Sequence, residues 1–302
     1  MRSWRPSIST ERRRTTRCNG GASDVTRWDT LEDDSDEILR DLDAWLRCGE
    51  AFAKIFIVAS ALLPTLSGAE SADVRPVLFE DCFQAAQLDS SRWNTQNPRN
   101  RIINWEQQGY VAEAISVEDG ILRISLTKTP TLYHGQTLPF ASGTVTTHGK
   151  FSFKYGRVEV RAHVPKGQGL WPAVWLLPES LEWPPEIDVL EIRGSEPDRV
   201  HMSHHWLEAP GQFRFHTGSF SGPDFSAGMH TFAIEWTPNE INWFVDSSQR
   251  HSATEHIPQV PMYLNVALAA GGQFAGLPDH TTPPAAQMEI DCIRVLAPKA
   301  TP

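Results

Sequence analysis

The chain has 302 residues, 40% of them hydrophobic and eleven of them tryptophan, with a formal net charge of −10. That length holds one large β domain or two ordinary domains, and the apolar fraction is enough for a substantial core. The acidic balance weighs against a polyanionic partner, which like charge would repel on encounter, and no basic, aromatic-interleaved patch follows residue 73 to bind nucleic acid.

Residues 1–50 join an Arg-rich start (Arg12, Arg13, Arg14, Arg17) to an acidic stretch (Asp33, Asp34, Asp36, Glu37). This low-complexity leader reads as disordered, with at most a short helix over 36–46. Residues 51–72 carry the apolar run Ile55-Phe56-Ile57-Val58-Ala59-Ser60-Ala61-Leu62-Leu63, preceded by Lys54 and ending near Ser67-Gly68-Ala69. Charge, apolar run and small residues in that order resemble a secretory signal, and the run is shorter than the roughly 20 apolar residues of a spanning helix. A secreted or periplasmic product is expected, with its true start downstream of Met1; a buried apolar helix is the alternative. Loss of the leader would leave Cys82 and Cys292, in the first and last predicted strands. If those strands are neighbours, a disulfide could join them; two unpaired buried thiols are the alternative.

From residue 77 the pattern is β. Short alternating or apolar runs fall at 77–83, 114–117, 122–128, 143–147, 150–164, 173–177 and 187–192. They continue at 201–206, 212–219, 230–236, 240–245, 262–269 and 288–296, with turn signals such as Asp119-Gly120, Lys166-Gly167 and Thr237-Pro238-Asn239 between them. The pattern predicts one all-β domain over 73–302, a sandwich or jelly roll. No internal repeat, phosphate loop, dinucleotide fingerprint or zinc-type spacing accompanies it.

Glu186-Ile187-Asp188-Val189-Leu190-Glu191 stands out in this pattern. Acids are depleted in strands, and several together add desolvation cost and like-charge repulsion. Strand alternation puts Glu186 and Asp188 on one face but Glu191 on the other. One extra residue at Val189-Leu190, a β-bulge, would bring all three acids onto one face. Aligned carboxyls suit glycoside hydrolysis, in which two of them flank the glycosidic bond. A hard-metal site is the competing use, but no Asp/Asn/Gly loop is present to complete a cage. Trp171, Trp175 and Trp183 precede the acids, and His201, Ser203 and His205 share one face of the next strand. Each such Trp alone is more often core than platform; their clustering around one acidic strand favours stacking against sugar rings.

The acid motif resembles the bulged signature of glycoside hydrolase family sixteen, in the branch of the bacterial laminarinases. The flanks resemble it too, in order: Val117-Glu118-Asp119-Gly120, Phe153–Arg161 as Phe-Lys-Tyr-Gly-Arg-Val-Glu-Val-Arg, Lys166-Gly167-Gln168-Gly169-Leu170-Trp171-Pro172-Ala173, His230-Thr231-Phe232-Ala233-Ile234-Glu235-Trp236-Thr237-Pro238 and Ile290-Asp291-Cys292-Ile293-Arg294-Val295. The resemblance implies a curved β-sandwich jelly roll whose concave face is an open cleft for β-glucan. It implies Glu186 as nucleophile, Asp188 as assisting acid and Glu191 as general acid/base, the outer two about 5–5.5 Å apart as retention requires. It implies hydrolysis of laminarin-type β-1,3-glucan or mixed-linkage β-glucan by a monomer. An agar- or carrageenan-type galactanase, a transglycosylase and a non-catalytic β-glucan-binding protein share the fold; the last would have lost the outer carboxyls, and all are present. A sulfated substrate is disfavoured, because only Arg161 and Arg193 lie close to the acids in sequence.

Further roles follow from the resemblance alone. Glu159 and Arg161 match a pair that contacts sugar hydroxyls, a cross-strand ion pair being the alternative. His205 stands near the cleavage point. Trp171, Trp175 and Trp183 would bind substrate. Catalysis would need no cofactor, but Asp291, with carbonyls near Glu80 and Gly120, resembles a ligand set for a structural calcium. The sequence departs from the family in three places. Ala267 replaces an Asn, with Asn265 two residues earlier. Ser247-Ser248 replaces Gly in a hairpin, and residues 97–109 only weakly match a substrate-contacting stretch.

Overall fold

The computed structural model describes residues 75–99 and 101–299. The leader and the signal-like segment, with Cys18 and Cys48, lie outside the described residues. Strands β1 (Val77–Asp81), β2 (Gln108–Tyr110), β3 (Ile115–Glu118) and β4 (Ile121–Thr127) come first, with the predicted Asp119-Gly120 turn between β3 and β4. β5 (Thr131–Tyr133) and β6 (Gln136–Leu138) form a separate hairpin. β7 (Phe140–Ser142) and β8 (Thr144–Thr146) then lead to β9 (Gly156–His163). A meander follows: β10 (Leu170–Pro178), β11 (Glu186–Ile192), β12 (Arg199–Ala209) and β13 (Gln212–Ser221). The chain ends with β14 (His230–Trp236), β15 (Ile241–Val245), β16 (Ser248–Ala253), β17 (Met262–Ala270) and β18 (Ala285–Leu296).

Two sheets pack together as a jelly roll. The larger runs β16-β15-β14-β9-β18-β4-β7-β2, with β1 on β18 and β3 on β4; the smaller runs β13-β12-β11-β10-β17-β8. Alternation builds the core between them. Val158, Val160, Ala162, Phe232, Ile234 and Val295 from the larger sheet meet Val174, Leu176, Ile187, Val200, Met202 and Leu264 from the smaller. Each large side chain buried this way contributes about 1.5–3 kcal/mol. β17 is buried along its whole length, on both faces, because residues 97–99 and 101–110 lie over the side turned away from the core.

One predicted strand shortens, and five strands, β2, β5, β6, β7 and β16, fall outside the predicted runs. The run 150–164 yields a strand only from Gly156; Phe153 makes an isolated bridge to Met262, while Phe151 stacks on Phe79 and Phe153, and Phe153 meets Trp236 edge-on. β16 was not expected, since Ser248–Ala253 has almost no apolar pattern; it pairs only with β15, at the sheet edge. The Ser247 departure proves local: Asp246 and Ser247 take positive φ (48° and 64°), and Asp246 is held by Thr231 N and His230. Cys82 and Cys292 are disulfide-bonded across 210 residues, which resolves the open alternative.

Glu159 and Arg161 correct an expectation. Both lie on β9 with side chains opposite Val158 and Val160, hence on the outward face of the larger sheet. Arg157 Nε donates to Glu159 at 2.7 Å, and Arg161 pairs with Asp291. The whole sandwich separates them from the smaller sheet's outer face, so a sugar bound there does not reach them. Two members of the calcium set have protein partners. The Asp291 carboxylate already holds the Arg161 guanidinium, and the Glu80 carbonyl accepts from Arg92. A second cluster, Glu80 with Cys82 and Cys292, has no free thiolate to offer because both sulfurs are in the disulfide.

Candidate active site

β11 carries the expected bulge. Against β12, Asp188 pairs with Ser203 and Glu191 with His201, so Val189 and Leu190 together face the single residue Met202. Against β10, the register likewise jumps from Leu190 to Asp188. The extra residue lets Ile187, Val189, Leu190 and Ile192 all enter the core while Glu186, Asp188 and Glu191 share the opposite face. A bulge leaves backbone groups without ladder partners, and buried ones must be satisfied. Here the Asp188 carbonyl accepts a 2.7 Å hydrogen bond from Trp243 Nε1, which reaches across the core from β15.

Each acid meets an aromatic or imidazole side chain within the cleft. Trp183 Nε1 donates to Glu186, His205 Nε2 meets Asp188 Oδ2 at 2.9 Å, and Trp171 Nε1 donates to Glu191 at 3.1 Å. Trp175 stands opposite Asp188 on β10 and lines the same cleft. Thus Trp171, Trp175, Trp183 and His205 are all brought to the acids, as the sequence implied. Burial, and then the negative charge of Asp188, push the Glu186 carboxyl up to about 8. The same two causes in the same order, with Glu186 adding to them, raise Glu191 well above the ordinary carboxylate range. Burial opposes a proton on His205, but its contact with Asp188 outweighs this and raises it. Glu186, Asp188 and His205 have ligand atoms within 4.8 Å of one another, the one cluster in the cleft among the described residues that could hold a cation. The hydrogen bonds from Trp183 and His205 already occupy oxygens of both carboxyls.

The wall opposite the acids comes from the stretch that matched the family weakly. Asn97, Arg99, Arg101, Ile103, Asn104, Glu106 and Tyr110 line the cleft beside Ala173, Leu177, Ala267 and Ala269. Glu106 accepts from Gln108 Nε2 at 2.7 Å, and burial raises its carboxyl above the usual range despite that bond. Sequence reasoning missed Glu106, Arg99 and Arg101. Sequence distance from the acids hid the arginines, and Arg161, which was counted near the acids, lies on the other face. The Glu106-x-Gln108-x-Tyr110 alternation was the available signal for a polar face turned inward. The Ala267 departure is clarified by register. Asn265 pairs with Trp175 and so shares the cleft's side of the sheet, but it is buried and lies outside the cleft lining. At the end of β17, Gly272 (φ 89°) is required: a Cβ there would come within 3.1 Å of the Trp171 ring and the Asn104 carbonyl.

Residues 103–294 match the profile described as Glycosyl hydrolases family 16. A β-glucanase of Rhodothermus marinus is 33% identical over 271 residues, covering 80% of this chain and 92% of that protein. An endo-1,3-1,4-β-glycanase of Rhizobium meliloti is 32% identical over 72% of this chain; the chain spans about half, 50%, of that relative's length. Among solved structures, the catalytic domain of an endo-1,3-β-glucanase (laminarinase) from Thermotoga petrophila superposes with a TM-score of 0.68 at 31% identity, covering 75% of this chain and 99% of that one. The bulged acidic strand and these likenesses agree, and the chain belongs to glycosyl hydrolases family 16.

Proposed function

We propose that this chain is a retaining endo-glycosidase that hydrolyses β-1,3-glucan of the laminarin type and accepts mixed-linkage β-glucan. The observation that carries the reading is the bulge that sets three carboxyls on one face of a tryptophan-lined cleft. A Glu186 oxygen attacks the anomeric carbon as the glycosidic C–O bond breaks, and the Glu191 proton passes to the leaving oxygen. Glu191, now a carboxylate, then takes a proton from water, whose oxygen displaces Glu186 and returns the sugar with its original configuration. Attack requires Glu186 as the carboxylate, so the proton that burial and the Asp188 charge favour there first passes to Asp188, which His205 holds beside it. These steps use only carboxyls and water.

Aromatic walls suit the apolar faces of a neutral glucan, with Glu106 and Asn104 placed for its hydroxyls. The endo-1,3- and 1,3-1,4-activities named for the relatives support that substrate class. The signal-like segment and the disulfide support export. Purified protein is expected to release reducing sugar from laminarin and lichenan. In Glu186→Gln the rate should fall by about 10³-fold or more, equivalent to losing at least ~4 kcal/mol of barrier lowering. Undiminished release by that variant would remove Glu186 from the nucleophile's role.

A further inference from the structure

We propose that Phe213 and Phe215, with Trp183, form a sugar-stacking shelf that holds the glucan chain on the open side of the bond being cut. This rests on the β-glucanase reading and extends it to residues that no motif marked. The cleft is asymmetric about β11. On the β10–β17 side it is walled by residues 97–99 and 101–110; on the β12–β13 side Phe213 and Phe215 stay exposed, with Trp183 packed beside Phe213. That open side carries the shelf. Register aligns Glu186 with His205 and His205 with Phe215, so Phe215 lies two strand spacings, about 10 Å, from the nucleophile's backbone. Phe213 is two residues earlier on β13 and points to the same face.

The rings pack on one another in a continuous aromatic cluster. Trp183 and Phe213 centroids are 4.7 Å apart at 31°, and those of Phe213 and Phe215 are 6.1 Å apart at 28°. His205, which holds Asp188, lies 5.7 Å from Phe215 and joins the shelf to the acids. Yet Trp183, Phe213 and Phe215 remain 43%, 37% and 60% exposed. A row of exposed aromatics continuous with a catalytic cleft is apolar surface left uncovered by the fold itself. The flat apolar face of a pyranose ring covers such surface, and Thr217, exposed on the same face of β13 and hydrogen-bonded to the buried Ser203 on β12, supplies a hydroxyl partner. Binding on both sides of β11 is what cleavage inside a chain requires.

The test compares Phe215→Ala and the Phe213→Ala/Phe215→Ala double variant with the wild type on laminarin. KM for the polymer should rise about three- to tenfold, the scale of a lost aromatic stacking contact. The rise should be smaller for an oligosaccharide too short to leave the walled side, and Phe215→Trp should restore the wild-type KM. Val77→Ala, an exposed apolar residue on the larger sheet, controls for a general loss of apolar surface. An unchanged polymer KM in the double variant overturns the shelf. So does sedimentation showing a wild-type dimer that dissociates in the double variant with KM unchanged, which would make the patch a self-association surface. If the wild type releases no sugar, the glucanase reading fails; retardation of wild type but not the double variant in a laminarin gel would still support the shelf.

Discussion

Glu191 must keep a proton at neutral pH, and the cleft arranges this with burial and two neighbouring acids rather than with any donor that neutralises it. Trp171 is its one side-chain partner, and that bond favours the ionised form too weakly to reverse the shift. The same environment sets the sign of a stability effect. A carboxyl whose folded pKa is raised is protonated when folded and ionised when unfolded at intermediate pH. The unfolded state therefore binds fewer protons, and stability falls as pH rises from the ordinary carboxylate value through the folded one. Glu191→Gln removes that loss. Its Tm should exceed the wild type's at pH 7, by roughly 2–4 °C for each kcal/mol regained, with the gap closing below pH 4. Its kcat on laminarin should fall about 10²–10⁴-fold, and much less on an aryl glucoside whose leaving group needs no proton. A Tm gap that persists unchanged at acid pH would count against the raised carboxyl.

The bulged strand was legible from spacing alone, because two aliphatics between acids at 188 and 191 have only one arrangement that keeps acids out of the core. Other parts of the site were hidden for a physical reason. Alternation says which residues share a face, not which sheet that face belongs to. Glu159 and Arg161 were therefore assigned to the wrong side, while Phe213 and Phe215, with the same alternation, drew no notice. Residues 97–99 and 101–107 reach the cleft as irregular chain, where periodicity carries little information, and only the short β2 beyond them alternates. The support beneath the bulge was also invisible: Trp243 on β15 satisfies the Asp188 carbonyl that the extra residue releases. Trp243→Phe keeps most of the ring and removes the donor. It should destabilise the fold by about 1–3 kcal/mol, the cost of a buried unpaired acceptor, and lower kcat more than it changes KM because it loosens Asp188 rather than the sugar walls. Equal stability of the variant and the wild type in denaturant melts would mean that the carbonyl finds another donor.

At the scale of the whole domain, the first and last strands lie side by side in the larger sheet, and everything catalytic lies on the smaller one. β1 pairs with β18, the Cys82–Cys292 bond joins them, and Arg75 reaches Glu235 with a second bond at 3.1 Å on the same side of the molecule. β1 is a five-residue edge strand with two exposed apolar residues, so its own burial holds it weakly. A cross-link across 210 residues limits the freedom of the unfolded chain far more than any single contact in β1 can. Its removal should therefore act on stability without touching chemistry. Cys82→Ser/Cys292→Ser, or complete reduction confirmed by thiol titration, should cost about 2–5 kcal/mol and lower Tm accordingly. At 25 °C, kcat and KM on laminarin should stay at the wild-type values, because the core lies between the bond and the cleft. A parallel fall in kcat would show instead that fraying of β1 and β18 spreads through β9 and the core to the bulge on β11, and that the two sheets do not behave as separate mechanical layers.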